Sequence, residues 1–315
     1  MTFAAMMLVA IALDIMLGWP DGLYRRIGHP VTWMGAAIGR LEALLNARSA
    51  SERARKARGA GVAVLVIGSC AGLAGLAQGA LPPGVWGVLL GGIVAWPFVA
   101  LRAMHDHVAA VILPLEAGDL ARARHEVSMI VGRDPNCLDA AGVARAATES
   151  LAENTSDGIV APVFWGIVAG LPGLVAYKAI NTLDSMIGHR SPRYAAFGWA
   201  SARIDDLANL IPARMTGALF ALVSARPRAA LDCMARDARL HRSPNAGWPE
   251  AAMAGALGVR LSGPRIYEGA VTQEPWVNGA CPDPAPADLR KGLALYRRAM
   301  GGMTVIVALL AVVGL

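Results

Sequence analysis

An uncharged stretch over residues 59–101 limits the folds open to this chain more than any other feature. It is 43 residues long, and Leu81-Pro82-Pro83-Gly84 interrupts it near its middle. About 20 apolar residues cross a bilayer as a helix, so residues 60–81 and 84–101 are each long enough. A buried helix pair in a soluble protein rarely lacks charges so completely. The stretch therefore predicts a transmembrane hairpin over residues 59–101.

Three further segments are candidate spans: residues 2–19, 207–225 and 299–315. The chain is 55% hydrophobic and only 17% charged, which is typical of an integral membrane protein. We expect an all-α, polytopic membrane protein with about four to six spans, forming one membrane-embedded domain over residues 1–315. The last span is predicted at residues 299–315. The first 24 residues contain no Lys or Arg, so the N-terminal segment lacks the charged start of a secretory signal and is expected to be retained.

Charged residues inside two of these segments are candidates for function. Asp14 lies in the first segment and Arg214 in the second. Charged side chains in membrane segments are costly and usually face a protein interior or a wet cavity. The alternative is placement at the membrane edge, where Asp14 marks the end of a helix and Arg214 extends to the interface.

Residues 158–177 predict a broken helix. The segment has no charge, yet it contains Pro162 and Pro172 together with several glycines. A full crossing would put the polar sequences before and after it on opposite sides of the membrane. Irregular backbone at membrane depth is tolerated where it lines a cavity. We therefore expect a kinked or re-entrant element whose two ends approach one site.

Basic residues immediately before the hairpin predict its orientation. The residues that precede it are Arg48, Arg53, Arg55, Lys56 and Arg58, and Arg102 follows it. By the positive-inside rule both ends of the hairpin are cytosolic, in a bacterial-type inner (plasma) membrane. Residues 104–156 and the helical and loop region 226–298 then face the cytosol as well. The net charge of +6 follows from this bias, and no nucleic-acid-binding motif accompanies it.

The polar residues between positions 145 and 214 are the main candidates for catalysis and binding. Glu149, Glu153 and Asp157 are four residues apart, so a helix would place them on one face, with Arg145 one turn earlier. Three adjacent carboxylates repel one another, and a divalent metal such as Mg²⁺ is a natural counter-charge. The alternative is a solvated helix face held by an ion pair between Arg145 and Glu149.

Several other classes of site lack their sequence signatures. The chain has no P-loop and no G-x-S-x-G motif. Its four cysteines are far apart, which predicts free thiols, and its histidines are scattered, which disfavours a transition-metal site. Local patterns predict helices over residues 120–131 and 139–151, an Ala-rich helix from Pro249 to about Gly258, and a loop over residues 274–288. The start of the Ala-rich helix suits an anion, although this segment alone favours an ordinary capped helix.

The longer motifs resemble one family. They are GWP from Gly18, HPV from His29, VGRD from Val131, AATESLAENTSDGIVAPVFW from Ala146, YKAINTLDSMIGHR from Tyr177, FGWASARIDDLANLIPAR from Phe197 and SPNAGWPEAAMAGALGVRLSGP from Ser243. Together they are similar to the adenosylcobinamide-phosphate synthases of cobalamin biosynthesis, the CobD/CbiB family of membrane proteins. Pro135 stands where the family pattern suggests a threonine, which removes a hydroxyl contact there.

This resemblance implies an amide-forming ligase. It would join the propionate carboxylate of adenosylcobyric acid to the amine of aminopropanol or aminopropanol phosphate, with ATP as energy source. Such ligases generally convert the carboxylate to an acyl phosphate, and Mg²⁺ and cationic side chains offset the charge of phosphoryl transfer. Other corrinoid-pathway enzymes and a second copy of the chain are further partners to consider, whereas nucleic acid is not expected.

The resemblance also implies roles for individual residues, mainly in a catalytic core over residues 104–215. The acids assigned to Mg²⁺ binding or to base action on the ammonium are Glu149, Glu153, Asp157, Asp184, Asp205 and Asp206, with Asp157, Asp184, Asp205 and Asp206 as the metal candidates. His189 either moves a proton or caps the preceding helix. The residues assigned to substrate are His29, Asn154, Lys178, Asn181, Ser185, Arg190, Arg203, Asn209, Arg214, Ser243 and Asn245.

Two alternatives compete with this interpretation. Buried acids, amides and arginines can simply hold membrane helices together. The chain can also be a transporter for a charged metabolite, with residues 158–177 and the intramembrane charges forming its pathway. A transporter should show related halves and access from both faces, whereas the polar sequence here is concentrated in loops expected on one side. A non-catalytic sensor has little need for such compact groups of acids and amides.

Overall fold

The computed structural model describes residues 2–132, 135–189, 191–267 and 270–314, and most of these are helical. The helices are α1 (Phe3–Leu17), α2 (Asp21–Ile27), α3 (Pro30–Leu45), α4 (Glu52–Gly79), α5 (Val85–Ala95), α6 (Leu101–Glu116), α7 (Leu120–Ser128), α8 (Ala140–Thr155), α9 (Ala161–Ile187), α10 (Trp199–Ala208), α11 (Leu210–Val223), α12 (Pro227–Asp237), α13 (Gly247–Leu257) and α14 (Pro286–Val312). Short strands β1 (Leu261–Ser262) and β4 (Trp276–Val277) pair antiparallel, as do β2 (Arg265–Tyr267) and β3 (Ala270–Thr272). The all-α prediction is confirmed.

Four helical segments are long and apolar enough to cross a membrane: Glu52–Gly79, Val85–Glu116, Ala140–Ile187 and Pro286–Val312. Two bent helix pairs raise the number to six if each pair counts as one span, namely Phe3–Leu17 with Asp21–Leu45 and Trp199–Ala208 with Leu210–Val223. The protein is therefore a multi-pass membrane protein, and the predicted range of four to six spans is confirmed by length and composition.

The chain divides into two compact units. The first comprises Met1–Ala100, Ala161–Asn209 and Ile306–Leu315, and the second comprises Leu101–Val160 and Leu210–Val305. In the first unit α4 packs along α9, and α3 and α10 pack against both of these helices. Their shared core contains Ile38, Val62, Leu183 and Phe197, all essentially inaccessible to solvent. In the second unit α13 is central and packs on α8, α11 and α12.

The hairpin residues form two helices of unequal length. α4 extends for 28 residues, whereas α5 ends at Ala95 and is followed by a 3-10 turn over Trp96–Phe98. Pro97 lies inside that turn and has no backbone N–H, so a regular helix does not continue through it. The second helix of the hairpin, α5, therefore ends before residue 101, and α6 begins at Leu101.

The predicted break in residues 158–177 is confirmed inside α9. Ala169 leaves helical geometry, and Gly170 adopts φ 66°, a left-handed conformation that favours glycine. The N–H of Leu171 bonds to Gln78 Oε1 at 2.8 Å, which satisfies a backbone donor that the break releases. Pro172 has no N–H, so it needs no partner at this point. Whether the element is re-entrant stays a prediction.

Helix ends in the second unit follow local capping rules. Asp139 caps α8 by accepting from Gly142 N at 2.7 Å. The Ala-rich helix α13 begins at Gly247, two residues before the predicted Pro249, and ends at Leu257, where Gly258 caps it with φ 73°. α7 ends at Ser128, three residues earlier than predicted. The predicted loop over residues 274–288 contains β4 and the first turn of α14.

Candidate functional site

One face of the second half of α9 carries a polar stripe. Asn181 lies three or four residues from each of Lys178, Asp184 and Ser185, so the four share one side of the helix. Lys178 Nζ lies 3.5 Å from Asn181 Oδ1, and Ser185 Oγ donates to the Asn181 carbonyl at 2.8 Å. The structure thus aligns four of the predicted site residues along one element.

α10 packs on α9 and contributes two further acids and an amide. Arg203 and Asp206 form an ion pair of 3.0 Å. One turn later, buried Asn209 donates to Asp205 Oδ2 at 3.0 Å and accepts from the hydroxyl of Tyr177 at 2.9 Å. Tyr177 was not among the predicted site residues, although it opens the YKAINTLD motif. Its hydroxyl fixes the orientation of the amide and, through it, of the Asp205 carboxylate.

Asp184 is the carboxylate on which the two helices converge. Its side chain is mostly shielded from solvent, and Arg203, Asp206 and exposed His189 all lie close enough to act on it electrostatically. A Cβ on Gly188 would come within 2.0 Å of Asp184 Oδ1. The carboxylate therefore lies directly against backbone, which leaves it little freedom to move.

We call this group the α9–α10 cluster; its members are Lys178, Asn181, Asp184, Ser185, His189, Arg203, Asp205, Asp206 and Asn209. It combines carboxylates, cations and amides on two packed helices of the first unit. Such a set can neutralise phosphate or carboxylate groups and can accept a proton. Arg190, also predicted to bind substrate, lies outside the described residues.

His29 has a structural role in the first unit. It is the N-cap of α3, where its Nδ1 accepts from Val31 N at 3.2 Å, and its ring also bonds to the backbone of Pro97. Trp19 packs against it edge-on at 4.8 Å between ring centroids. Lys178 is close enough to interact with it electrostatically. His29 thus borders the α9–α10 cluster, and substrate contact by it stays a prediction.

The loop between α9 and α10 is fastened by residues that sequence patterns did not single out. Arg193 forms two hydrogen bonds to Glu42, at 2.9 and 2.6 Å. Asn46 donates to Glu42 Oε1 at 2.7 Å and to the Arg193 carbonyl at 3.1 Å, and Arg55 bonds to the same carbonyl. This network fixes the loop that follows Asp184 and carries His189.

The predicted acid row in the second unit does not share one environment. Glu149 is buried and accepts from Ser262 N at 2.7 Å, whereas Glu153 is exposed. Asp157 lies in a π-helical turn, Ser156–Val160, which changes the angular spacing between residues. Arg145 forms its ion pair with Asp283 at 2.8 Å. The three acids therefore do not form one row, and the alternative of a solvated helix face held by Arg145 and Glu149 does not describe this helix either.

Glu149 belongs to a buried polar group around Ser262. Ser262 Oγ donates to Glu250 Oε2 at 3.2 Å, and His241 Nε2 lies 3.6 Å from Glu250 Oε1. Glu250 and His241 are almost inaccessible. Ser262 adopts φ 58°, a conformation uncommon for a residue with a side chain. The group holds β1 against α8 and α13, so a structural role accounts for the burial of Glu149.

Asn154 bonds within its own helix. Its Nδ2 donates to the Ser150 carbonyl at 2.9 Å and to Ser150 Oγ at 3.0 Å. Ser150 Oγ in turn donates to the Ile130 carbonyl at 2.6 Å. The amide therefore helps to join α8 to the end of the segment that follows α7, and its proposed contact with substrate remains a prediction.

Arg214, Ser243 and Asn245 come together in the second unit. Arg214 stacks over Trp248 at 4.5 Å and lies 3.4 Å from Asn245 Oδ1. Ser243 Oγ accepts from the N–H groups of Asn245 and Ala246, at 3.3 and 3.2 Å. Three predicted substrate residues, which span 31 positions of the sequence, therefore lie together near the start of α13.

The acids fit Mg²⁺ only as a partial set of ligands. Mg²⁺ is usually held by one or two carboxylates together with substrate phosphates. Asp184 and Asp206 lie close enough to interact electrostatically, and Asp205 is on the same helix as Asp206, whereas Asp157 belongs to the other unit. Across the described ranges, no group of three or more His, Cys, Asp or Glu side chains is arranged to hold a metal ion. The metal site therefore stays a prediction.

Comparison with known proteins agrees with the motifs on these helices. A family model described as "CobD/Cbib protein" matches residues 7–296, which include the α9–α10 cluster and the Ser262 group. The chain belongs to the CobD/CbiB family. This membership assigns the protein to cobalamin biosynthesis. The family match covers nearly the whole sequence.

Curated relatives of the CobD/CbiB family match over almost their full lengths. "Cobalamin biosynthesis protein CobD" of Rhodobacter capsulatus is 69% identical over 312 residues, covering 99% of this chain and 98% of the relative. The protein of the same name from a Sinorhizobium species is 47% identical, covering 98% and 99%. That from Brucella suis is 46% identical, covering 98% and 96%. No solved structure matches the chain.

Proposed function

We propose that this CobD/CbiB-family protein is an ATP-dependent amide ligase. It joins the amine of aminopropanol, or of aminopropanol phosphate, to the propionate carboxylate of adenosylcobyric acid, giving adenosylcobinamide or its phosphate. The observation that carries the proposal is the α9–α10 cluster, which groups acids, cations and amides on two packed helices within the segment that the family model matches.

The chemistry requires activation of a poor electrophile. ATP transfers its terminal phosphoryl group to the carboxylate, and the amine then displaces phosphate from the acyl phosphate to form the amide. Mg²⁺ supplies charge neutralisation on the phosphates when it is bound. In this proposal Lys178 and Arg203 bind phosphate or carboxylate oxygens and Asn181 orients amide groups of the corrinoid. Asn209 is buried, so it acts only through the Asp205 carboxylate to which it donates.

A base is needed because the amine arrives as an ammonium ion. It must lose a proton before its nitrogen can attack, and a carboxylate or imidazole can accept it. Asp184 is the best placed acid, since Arg203, Asp206 and His189 all act on it. His189 is exposed at the end of α9 and suits transfer of that proton to water.

We further propose that the protein lies in the cytoplasmic (inner) membrane with its site facing the cytosol. The basic residues before the apolar run of α4 support this orientation through the positive-inside rule. ATP and the amino alcohol then have direct access from the cytosol. Association with other corrinoid-pathway enzymes or with a second copy of the chain is compatible with this location.

The proposal is tested by an amide-forming assay on detergent-purified protein. The complete mixture contains adenosylcobyric acid, aminopropanol phosphate, ATP and Mg²⁺, and mass spectrometry follows the corrinoid product. Each component is omitted in turn, and free aminopropanol replaces its phosphate in a parallel series. Product that requires all four components supports the ligase, and the parallel series identifies the amine.

A transporter is the alternative that one feature favours, because the break at Ala169–Gly170 resembles the discontinuous helices of transporters. Well-folded protein that yields no product with either amine, with added lipid, would contradict the ligase. Uptake of labelled corrinoid into proteoliposomes would then support transport.

A further inference from the structure

The N-terminal end of α4 carries a dense group of cations in the first unit. Its members, which we call the cationic collar, are Arg48, Arg53, Arg55, Lys56, Arg58 and Arg193. Arg48, Arg53, Lys56, Arg58 and Arg193 are exposed, and Arg55 is half-buried. Two of these cations pair with carboxylates, Lys56 with Glu52 and Arg193 with Glu42. Six cations against two carboxylates leave four positive charges.

Some collar cations are fixed in position by hydrogen bonds. Arg193 is bound in bidentate geometry by Glu42, yet half of its side chain remains exposed. Arg55 donates to Asn46 Oδ1 at 2.9 Å, and Arg58 lies 3.4 Å from the Leu45 carbonyl. Because these guanidinium groups are already ordered, an anion that binds them pays little of the usual entropy of ordering long side chains.

The collar lies where α4 changes from charged to apolar. The uncharged run begins at Gly59, directly after Arg58. The carbonyl of Phe197 lies against Gly59, so the loop that carries Arg193 meets α4 at this same level. Large apolar side chains next to the collar are exposed, with Leu44 at 77% and Trp199 at 52%. Exposed Trp beside a span is typical of the membrane interface.

We propose that the cationic collar binds the phosphate groups of anionic phospholipids. Clusters of four or more Lys and Arg beside a membrane span attract anionic lipid. Here the cations are adjacent to apolar side chains that suit acyl chains, which favours a lipid over a soluble phosphate. The bound headgroup bridges the start of α4 and the loop before α10. This inference does not depend on the ligase activity, because none of the collar residues belongs to the α9–α10 cluster.

The test compares retained lipid and lipid-dependent stability. Wild-type protein is placed in nanodiscs of phosphatidylcholine alone or of phosphatidylcholine with phosphatidylglycerol. Native mass spectrometry counts phosphatidylglycerol molecules that remain bound, and thermal unfolding measures stabilisation. The triple variant Arg53→Gln, Lys56→Gln, Arg58→Gln keeps the Arg55 and Arg193 contacts. We expect its affinity for phosphatidylglycerol to fall on the order of tenfold or more, given the contribution of each cation near an anionic surface.

Two further variants control for net charge and folding. Arg122→Gln, Arg228→Gln, Arg239→Gln removes three exposed cations of the second unit and should retain phosphatidylglycerol as wild type does. Arg53→Lys, Arg58→Lys keeps the collar charge and should also retain it. Loss of lipid in the triple variant alone supports the proposal, whereas equal loss in both neutralised variants assigns the effect to total charge and overturns it.

Soluble phosphate is tested separately. Inorganic phosphate is added to wild-type protein in phosphatidylglycerol nanodiscs, with sodium chloride at equal ionic strength as the control. Retention of the lipid in both conditions supports a lipid site. Specific displacement by phosphate would show that the collar binds a free anion instead, and equal retention of phosphatidylcholine and phosphatidylglycerol by the wild type would also overturn the proposal.

Discussion

Gly59 of α4 and Phe197 of the loop before α10 meet backbone to backbone. A Cβ on Gly59 would lie 1.8 Å from the Phe197 carbonyl oxygen, far inside any tolerated contact. The adjacent Gly198 is equally confined, since its Cβ would lie 1.6 Å from the Ile187 carbonyl oxygen. The loop that follows Asp184 is therefore pressed against both helices at positions where only glycine fits.

Gly59→Ala should consequently destabilise the first unit. We expect a loss of about 1–3 kcal/mol from overpacking, because the clashing atom is backbone and cannot rotate away. The measurement is thermal or denaturant unfolding in detergent. Gly61→Ala is the matched control in the same helix, since nothing lies within 4 Å of its added Cβ, and helix propensity alone should give a gain of up to about 1 kcal/mol. Equal stability of the two variants would contradict the observed contact.

Cys233 should be unreactive in the folded protein. Burial, and then the charge of Asp237 3.6 Å from its sulfur, raise the pKa of the Cys233 thiol to about 12. At pH 8 the reactive thiolate is then about one part in ten thousand. Iodoacetamide followed by mass spectrometry should label exposed Cys137 and leave Cys233 unmodified. Both should react after denaturation, and labelling of Cys233 at the rate of Cys137 in native protein would show that its site is open.

Features set by local composition could be predicted from the sequence. The uncharged run over residues 59–101 is long enough to cross a bilayer twice. The Pro and Gly residues within 158–177 interrupt regular helical geometry. These two features predicted a multi-pass helical protein and a break within residues 158–177, which lies at Ala169–Gly170 in the structure. The stripe on α9 was accessible to the same reasoning, because helical periodicity places Lys178, Asn181 and Asp184 on one face, but the sequence analysis treated these residues one by one.

Features set by distant partners could not be predicted in this way. Glu42 and Arg193 are 151 positions apart, and no spacing rule connects them. The sequence pattern placed Glu149 in a row of acids. Its hydrogen-bond partner, the N–H of Ser262, is 113 positions away, and the bond between them is buried. The π turn at Ser156–Val160 adds a change of register that the i,i+4 pattern does not contain.

Asp283 should make the stability of the second unit depend on pH in the acid range. Its hydrogen bonds to Arg260 hold the pKa of the Asp283 carboxyl below its usual value; burial opposes this shift, and Arg145 adds to it. Both arginines also stack on Trp276, with the guanidinium carbon 4.1 Å from the ring centroid for Arg260 and 4.9 Å for Arg145. Because the folded-state pKa is depressed, the stabilisation is present above the unfolded-state pKa and is lost as pH falls through the folded-state value.

Asp283→Asn tests this dependence through unfolding measured from pH 7 to pH 3. At pH 7 the variant should be less stable than wild type by about 1 kcal/mol, a figure reduced for the partial exposure of the pair. The difference should shrink below about pH 4, where the carboxyl is protonated first in the unfolded state and, at still lower pH, in the folded state as well. Asp232→Asn, on the exposed face of α12, should show no such trend. A constant difference across the range would mean that the Asp283 charge does not contribute.

Asp184→Asn is the substitution that separates the proposed chemistry from a scaffold role. Asparagine nearly preserves the shape of the side chain beside Gly188, but it removes the negative charge near Arg203 and Asp206 and cannot accept the ammonium proton. Loss of a general base or of an electrostatic contact at a reacting centre typically lowers the rate by about 100-fold or more. We therefore expect product formation to fall by at least that factor.

Correct folding and membrane insertion are checked by elution as a single species and by thermal unfolding. Asp232→Asn is again the control, because it removes an exposed carboxylate outside the α9–α10 cluster. Low activity with normal folding, at saturating ATP and amine, supports a role of Asp184 in the reaction rather than in binding alone. Normal product formation would exclude Asp184 from the chemistry and shift attention to Asp205 and Asp206. An unfolded variant would instead show that the carboxylate against Gly188 is needed to join α9 to α10.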